Sequence, residues 1–264
     1  MNKKLVIFDM DGTLYLGKNL FPYTKNTLKY LKDNDIDYLF FTNNSSHDLD
    51  FYLKKMRGFD IECDMSNFYS SSEVTISYLK RNNIKKIFLL GNKSLKDQFK
   101  KEFDIVTSYK EDEDIEAVVI GFSTELVYDE LRSACLYLET RKDIRYIATN
   151  GDYRCPIEDG LYIPDCGGMA EWIYLVTGRR PLIMGKPSKE VIESILDTYH
   201  LNKEDILVVG DRMYTDILVG VNAGVDSLLV LSGESTMEDV NKSPYKPTYI
   251  LDSIEDLPKL LKDK

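Results

Sequence analysis

The sequence predicts an α/β protein built on a parallel sheet, and three observations carry that prediction. Short apolar runs of strand length alternate with segments of helical period along most of the 264 residues. Several of these runs are apolar throughout rather than alternating, as strands buried on both faces of a parallel sheet are. Three of them stop abruptly at polar residues: Leu5-Val6-Ile7-Phe8 at Asp9, Tyr38-Leu39-Phe40-Phe41 at Thr42-Asn43, and Ile206-Leu207-Val208-Val209 at Gly210-Asp211.

The elements between them follow the same logic. Val191, Ile192, Ile195, Leu196 and Tyr199 share one face of a helix, with Pro187 where a first helical turn tolerates proline. In the middle third, Ile87-Phe88-Leu89-Leu90, Ala117-Val118-Val119-Ile120 and Tyr146-Ile147-Ala148 predict strands, and residues 128–139 predict a helix. Glu111-Asp112-Glu113-Asp114 reads as a solvated acidic loop. Trp172, with Ile173, Leu175 and Val176, reads as the apolar face of a helix rather than a ligand-stacking platform. The length allows two modest domains. A second domain inserted in the first would place a core at 1–82 with 181–264 and the insert at 83–180.

Composition excludes several classes. With 43% hydrophobic and 11% aromatic residues there is enough apolar material for real cores, which rules out wholesale disorder. No run approaches the roughly 18 apolar residues of a membrane span. Met1-Asn2-Lys3-Lys4 leads into too few apolar residues for a secretory signal. A formal net charge of −10 without a basic block disfavours a nucleic-acid partner. The expectation is a cytoplasmic protein. Cys63, Cys135, Cys155 and Cys166 show no CxxC pairing and read as reduced bystanders. His47, which reads as surface, and His200 are too few for histidine chemistry, so any catalysis should run on carboxylates.

In a parallel α/β sheet the carboxyl ends of the strands share one edge, where ligands bind. Asp9, Asp11, Thr42, Asn43 and Asp211 should therefore converge, joined by Lys186 from the Gly185-Lys186-Pro187 loop. Gly12 leaves backbone N–H groups open to an anion. With Asp216 added, four carboxylates in one cleft repel each other and any phosphate, and a hard divalent cation relieves this. All-oxygen ligation favours magnesium over zinc or copper. Lys186, Thr42 and Asn43 can donate to phosphate oxygens. Together these residues make a phosphate site with a metal and a carboxylate nucleophile.

Asp9-Met10-Asp11-Gly12-Thr13-Leu14, Thr42-Asn43-Asn44, Lys186, and Gly210-Asp211 through Asp216 resemble the four ordered motifs of the haloacid dehalogenase (HAD) superfamily. The long insert between the second and third motifs resembles its NagD-like, 4-nitrophenylphosphatase branch. The similarity extends through Ala148-Thr149-Asn150 and Thr177-Gly178-Arg179-Arg180-Pro181. It implies a Rossmann-like core with an inserted α/β cap that sets substrate specificity by closing over the site. It also implies Mg2+-dependent hydrolysis of small phosphomonoesters, of nucleotide or sugar-phosphate type, through an aspartyl-phosphate. Asp9 would attack phosphorus, and Asp11 would protonate the leaving alcohol and then activate water. Asp11 would need neighbouring negative charge or partial desolvation to hold that proton.

The resemblance assigns magnesium to Asp9, the backbone carbonyl of Asp11, and Asp211. Asp216 would be a further ligand or an outer support for the metal and Lys186. Lys186, Thr42 and Asn43 would hold the phosphoryl oxygens, and Thr149, Asn150 and Asp152 of the cap would contact the substrate. Asn44 to Ser46 and Gly210 read as structural turns, with Thr13 open between local hydrogen bonding and support of the site. The partner is a small phosphorylated metabolite, with a homo-oligomer left open. The alternatives are a phosphotransferase and a catalytically degenerate phosphometabolite-binding protein; intact Asp9 and Asp11 speak against the second. A P-loop is excluded, because Pro187 follows Gly185-Lys186 and Arg180 occupies the earlier glycine position. A signalling receiver domain needs only about half this length and lacks an acid two residues after its nucleophile.

Overall fold

The computed structural model describes residues 2–43, 49–156 and 161–262. The chain forms two compact units, the first from residues 1–42, 49–69 and 186–264, the second from 43–48 and 70–185. Asn44, Ser45, Ser46 and His47 lie outside the described residues. No helix among the described residues is long and apolar enough to cross a membrane.

The first unit is organised by a six-stranded sheet in the order Tyr249–Leu251, Asp226–Val230, Ile206–Gly210, Leu5–Phe8, Asp37–Thr42, Phe68–Ser70. The first five strands pair in parallel, with Phe8 opposite Val209 on one side and Phe40 on the other. All four residues of Leu5–Phe8 and all five of Ile206–Gly210 are buried, as expected for central strands covered on both faces. Val6, Phe8, Phe40, Leu207, Val209, Leu228 and Val230 form one core with Leu28 and Leu31 of helix Thr24–Asp33 and with Ile254, Leu257 and Leu261. The helix expected after Lys186 begins at Glu190 and runs to Tyr199. Pro187 therefore precedes it by a turn instead of sitting inside its first one, and its peptide bond to Lys186 is cis.

The second unit holds a five-stranded parallel sheet in the order Leu182–Ile183, Arg145–Ala148, Ala117–Ile120, Lys86–Leu90, Asp104–Val106. Its core joins Phe88, Leu90, Val118, Ile120 and Tyr146 to Ala134, Tyr137 and Leu138 of helix Tyr128–Thr140 and to Met169, Ala170 and Ile173 of helix Cys166–Thr177. Helix Ser71–Arg81 and strand Leu182–Ile183, which boundaries at 82 and 181 put in the core, belong to this unit, and the strand does so because it pairs with Arg145–Ala148. One expectation fails here. Of the stripe Trp172, Ile173, Leu175 and Val176, only Ile173 is buried; the other three are exposed, because the helix turns Cys166, Met169, Ala170 and Ile173 inward. None of the four cysteines forms a disulfide.

Candidate active site

The Asp9 backbone N–H donates to the Val209 carbonyl at 2.8 Å, one step past the last paired residue of its strand. The parallel ladder thus carries Asp9 to the edge where Ile206–Gly210 delivers Asp211. Lys186 Nζ lies 2.6 Å from Asp9 Oδ1 and 2.7 Å from Asp216 Oδ1. A lysine that would by default be solvated is here 6% exposed, beside Asp216 at 1% and Asp211 at 2%. Burial alone would push the lysine toward neutrality, but Asp216 and Asp9 outweigh it and hold the ammonium above its usual range.

Asp216 returns to the sheet edge through a wide, π-helical turn, Met213–Ile217. Its Oδ2 accepts the Arg212 N–H at 3.0 Å. Gly210 is the last strand residue and not a simple turn: a Cβ there would lie 2.3 Å from the Asp216 Cβ, so only glycine admits that carboxylate. Carboxylate oxygens of Asp9, Asp211 and Asp216 all come within 4.8 Å of one another. Burial, opposed by Lys186 and reinforced by Asp216 and Asp211, holds Asp9 well above the carboxylate range. Burial and then Asp216 do the same to Asp211.

Three anionic side chains with one ammonium between them make an electrostatically strained group. Asp211 Oδ2 accepts the Glu234 N–H at 2.8 Å, whereas its Oδ1 is buried without a hydrogen-bond partner. An orphaned buried carboxylate oxygen beside a second and third carboxylate, with oxygen the only donor element, fits a hard divalent cation.

Asp11 stands apart. Its carboxylate is exposed, not desolvated, and accepts the Gly17 N–H at 3.4 Å. The loop is closed by Gly12 N–H to the Tyr15 carbonyl at 2.7 Å and Leu14 N–H to the Met10 carbonyl at 2.9 Å. Thr13 is fully buried and its Oγ1 has no hydrogen-bond partner. Thr42 ends its strand nearly buried, with Oγ1 donating to Tyr52 Oη at 3.4 Å. Asn43 belongs to the second unit, as do Thr149, Asn150 and Asp152. Thr149 and Asn150 are fully buried, while Asp152 is partly exposed.

Two groups at this edge have no counterpart among the expected residues. The segment 232–235, after strand Asp226–Val230, clamps the site from the side: Ser232 Oγ donates to the Gly12 carbonyl at 2.8 Å, and Ser235 N–H to the Asp211 carbonyl at 3.1 Å. A Cβ on Gly233 would lie 2.1 Å from Asp211 Oδ2, and one on Gly12 2.3 Å from the same atom. The carboxylate is thus fitted between two glycines. Extending the strand-end rule to Leu228-Leu229-Val230 would have found this segment. Lys55 is the other addition. Its ammonium lies 3.9 Å from the Tyr15 ring centre, with burial lowering its affinity for a proton and the Asp11 charge opposing that.

A six-stranded sheet with five parallel strands, which gathers a buried lysine and three carboxylates at its carboxyl edge, defines a phosphoryl-transfer enzyme of the HAD type. Comparison with known proteins agrees. Residues 6–103 match the family described as haloacid dehalogenase-like hydrolase, and 183–257 match an HAD-hydrolase-like family. The chain is 31% identical to the acid sugar phosphatase of Staphylococcus haemolyticus over 94% of this chain and 92% of that one. It is 30% identical to the 5'-nucleotidase YutF of Bacillus subtilis, over 94% of each. Among solved structures, the 4-nitrophenylphosphatase of Thermotoga maritima superimposes with a TM-score of 0.86 at 37% identity, covering 98% of this chain and 97% of that one. NagD of E. coli superimposes with a TM-score of 0.87 at 30% identity, covering 97% and 98%. The chain belongs to the NagD-like branch of the HAD hydrolases, and it is a phosphatase.

Proposed function

We propose that this phosphatase hydrolyses small phosphomonoesters, of sugar-phosphate or nucleotide type, with Mg2+ and through an aspartyl-phosphate on Asp9. The observation that carries the reading is the Lys186 ammonium fixed between Asp9 and Asp216 beside the orphaned Asp211 oxygen. The names of the relatives support the substrate class: a sugar phosphatase, a 5'-nucleotidase and a nitrophenylphosphatase all act on monoesters. Asp9, Asp11, Lys186, Asp211 and Asp216, which would carry the bond-making and proton-transfer steps, all belong to the first unit.

Asp9 and Asp211, with the Asp11 backbone carbonyl, would hold the ion, and Asp216 would support it and Lys186. When bound, magnesium supplies positive charge against the phosphoryl oxygens and the attacking carboxylate. The chain's own groups do the rest. Lys186 orients the Asp9 carboxylate and offsets charge on the transferring group. Asp9 attacks phosphorus as the bond to the ester oxygen breaks, and Asp11 gives that oxygen its proton. Exposure of Asp11 lets it recover the proton from the water that attacks the aspartyl-phosphate. The bond from phosphorus to Asp9 then breaks and inorganic phosphate leaves. Thr42 and Asn43 hold the phosphoryl oxygens during both steps.

Phosphate release from sugar phosphates, nucleoside monophosphates and nitrophenyl phosphate tests this. Wild type should act on small monoesters, lose activity in chelator and regain it with magnesium, and Asp9→Asn should be inactive yet folded. Undiminished release by purified Asp9→Asn, or by wild type verified free of metal, would overturn the mechanism.

A further inference from the structure

Asn43 follows the last residue of the Asp37–Thr42 strand directly, yet its side chain and its carbonyl are both held inside the inserted unit. Its Nδ2 donates to Asp152 Oδ2 at 3.2 Å. Its carbonyl accepts from Asn150 Nδ2 at 3.1 Å and from Ser71 Oγ at 2.9 Å. A Cβ on Gly185 would lie 2.6 Å from Asn43 Oδ1, so a glycine makes room for the asparagine.

The residues that hold Asn43 are themselves fixed. Asn150 is fully buried, and its amide is used up internally. Oδ1 accepts the Asp152 N–H at 3.1 Å, while Nδ2 serves both the Asn43 carbonyl and Asp165 Oδ1, the latter at 3.4 Å. Asp165 is buried too, and caps helix Cys166–Thr177 by accepting the Cys166 N–H at 2.6 Å. The Asp152 carbonyl accepts the Gly167 N–H at 2.8 Å, and a Cβ on Gly167 would meet the Gly151 carbonyl oxygen at 2.4 Å. Loop 150–152 is therefore seated on that helix through a glycine.

We propose that Asn150, Asp152 and Asp165 are positioning residues for Asn43, fixing the side chain and carbonyl of the residue with which the second motif holds phosphate. This rests on the reading that Thr42 and Asn43 hold the phosphoryl group. It differs from the expectation that Asn150 and Asp152 touch the leaving group. Asn150 is fully buried with both amide protons used, and one oxygen of Asp152 is taken by the Asn43 amide. The two roles predict opposite patterns. A contact to the leaving group matters for some substrates and not others, whereas the phosphoryl group is common to every monoester, so misplacing Asn43 costs all of them alike.

Asp152→Ala, Asp152→Asn, Asn43→Ala and the Asp152→Ala/Asn43→Ala double variant separate these. The readouts are kcat/KM on nitrophenyl phosphate, a sugar phosphate and a nucleoside monophosphate, with inorganic phosphate as competitive inhibitor. Asp152→Ala should lower kcat/KM on the order of tenfold, by the same factor for each substrate to about twofold, and weaken phosphate inhibition alike. Asp152→Asn, which keeps an oxygen for the Asn43 amide, should recover most of this. In the Asn43→Ala background, Asp152→Ala should cost less than about twofold, since the Asn43 amide that it positions is gone. A loss confined to one substrate with phosphate inhibition intact, or full additivity in the double variant, overturns the proposal. If Asp152→Ala does not fold, Asp152→Ser carries the same comparison. Should wild type release no phosphate at all, the proposed function fails; calorimetric binding of inorganic phosphate to wild type and Asp152→Ala then decides the positioning role, with equal affinity refuting it.

Discussion

Replacing Gly233 by alanine asks how tightly Asp211 must be held. The new Cβ would lie 2.1 Å from Asp211 Oδ2 and 2.5 Å from its Cβ and Cγ. Ordinary contacts lie near ~3.5 Å, so the carboxylate or the 232–235 segment must shift by about 1 Å. Either shift breaks the 2.8 Å hydrogen bond from Glu234 N–H to Asp211 or the 2.8 Å bond from Ser232 to the Gly12 carbonyl. A displacement of about 1 Å in a phosphoryl-transfer site costs on the order of 10²-fold, or ~2.7 kcal/mol in the barrier. Overpacking adds ~1–3 kcal/mol of lost stability.

The assay is kcat/KM on nitrophenyl phosphate across a magnesium titration, with unfolding temperature in magnesium and in chelator. We expect a roughly 100-fold fall in kcat/KM, and a smaller magnesium-dependent rise in unfolding temperature because the ion is bound less well. Gly178→Ala is the control. It also adds a methyl group, at φ +66° with nothing within 4 Å, so it should cost ~1–2 kcal/mol of stability through backbone strain and leave kcat/KM alone. If Gly233→Ala retains both wild-type kcat/KM and the full magnesium-dependent shift, Asp211 does not depend on this packing and the site has been read wrongly.

Four further expectations follow from the same geometry. Lys186→Met should inactivate the enzyme and destabilise it by ~3–5 kcal/mol, the usual cost of stranding buried charges. Because Asp9 and Asp211 are held above their ordinary range in the fold, the unfolded chain ionises first and stability falls as pH rises. Denaturant titrations in chelator should therefore show a larger loss at pH 8 than at pH 5, and equal losses would contradict the electrostatic account. Asp11→Asn should slow poor leaving groups by about 10²–10⁴ and nitrophenolate much less, a contrast that vanishes if Asp11 is not the acid. Burial pushes the Asp165 carboxyl up to about 6. Its stabilising contribution is complete below pH ~4 and lost as pH rises through 6, at most about 3 kcal/mol. Asp165→Asn should flatten the decline in stability between pH 4.5 and 7.5, and a slope parallel to wild type would show that this carboxyl does not set it.

Much of the fold was legible because parallel strands buried on both faces leave uninterrupted apolar runs: 5–8, 87–90, 117–120 and 206–209 all lie within observed strands. The site was legible for a related reason, since such strands end at one edge and Asp9, Lys186, Asp211 and Asp216 meet there. What escaped were features set by close approach rather than by chemistry. Gly210, Gly233 and Gly167 look like turn residues in a sequence, and only the backbone path shows that each makes room for a particular carboxylate or carbonyl. The exposed face of Trp172, Leu175 and Val176 escaped because an apolar helix with a small-residue face, Cys166, Gly167 and Ala170, gives periodicity no clear winner. Short Leu182–Ile183 was invisible as a strand, and with it the edge of the inserted sheet.

The strand order has a consequence for synthesis of the chain. Leu5–Phe8 lies at the centre of its sheet, yet its partner on one side is Ile206–Gly210, with Leu5 opposite Ile206. On a ribosome adding ~5–20 residues per second, the first strand waits on the order of 10–40 s for that neighbour. Almost all of the second unit, residues 70–185, emerges in the meantime as one continuous stretch whose five strands pair among themselves. The inserted sheet can thus be complete while the catalytic sheet still presents an open, wholly apolar edge along Leu5–Phe8. During that interval the unpaired side of Leu5–Phe8 offers backbone N–H and C=O groups with which another chain could pair.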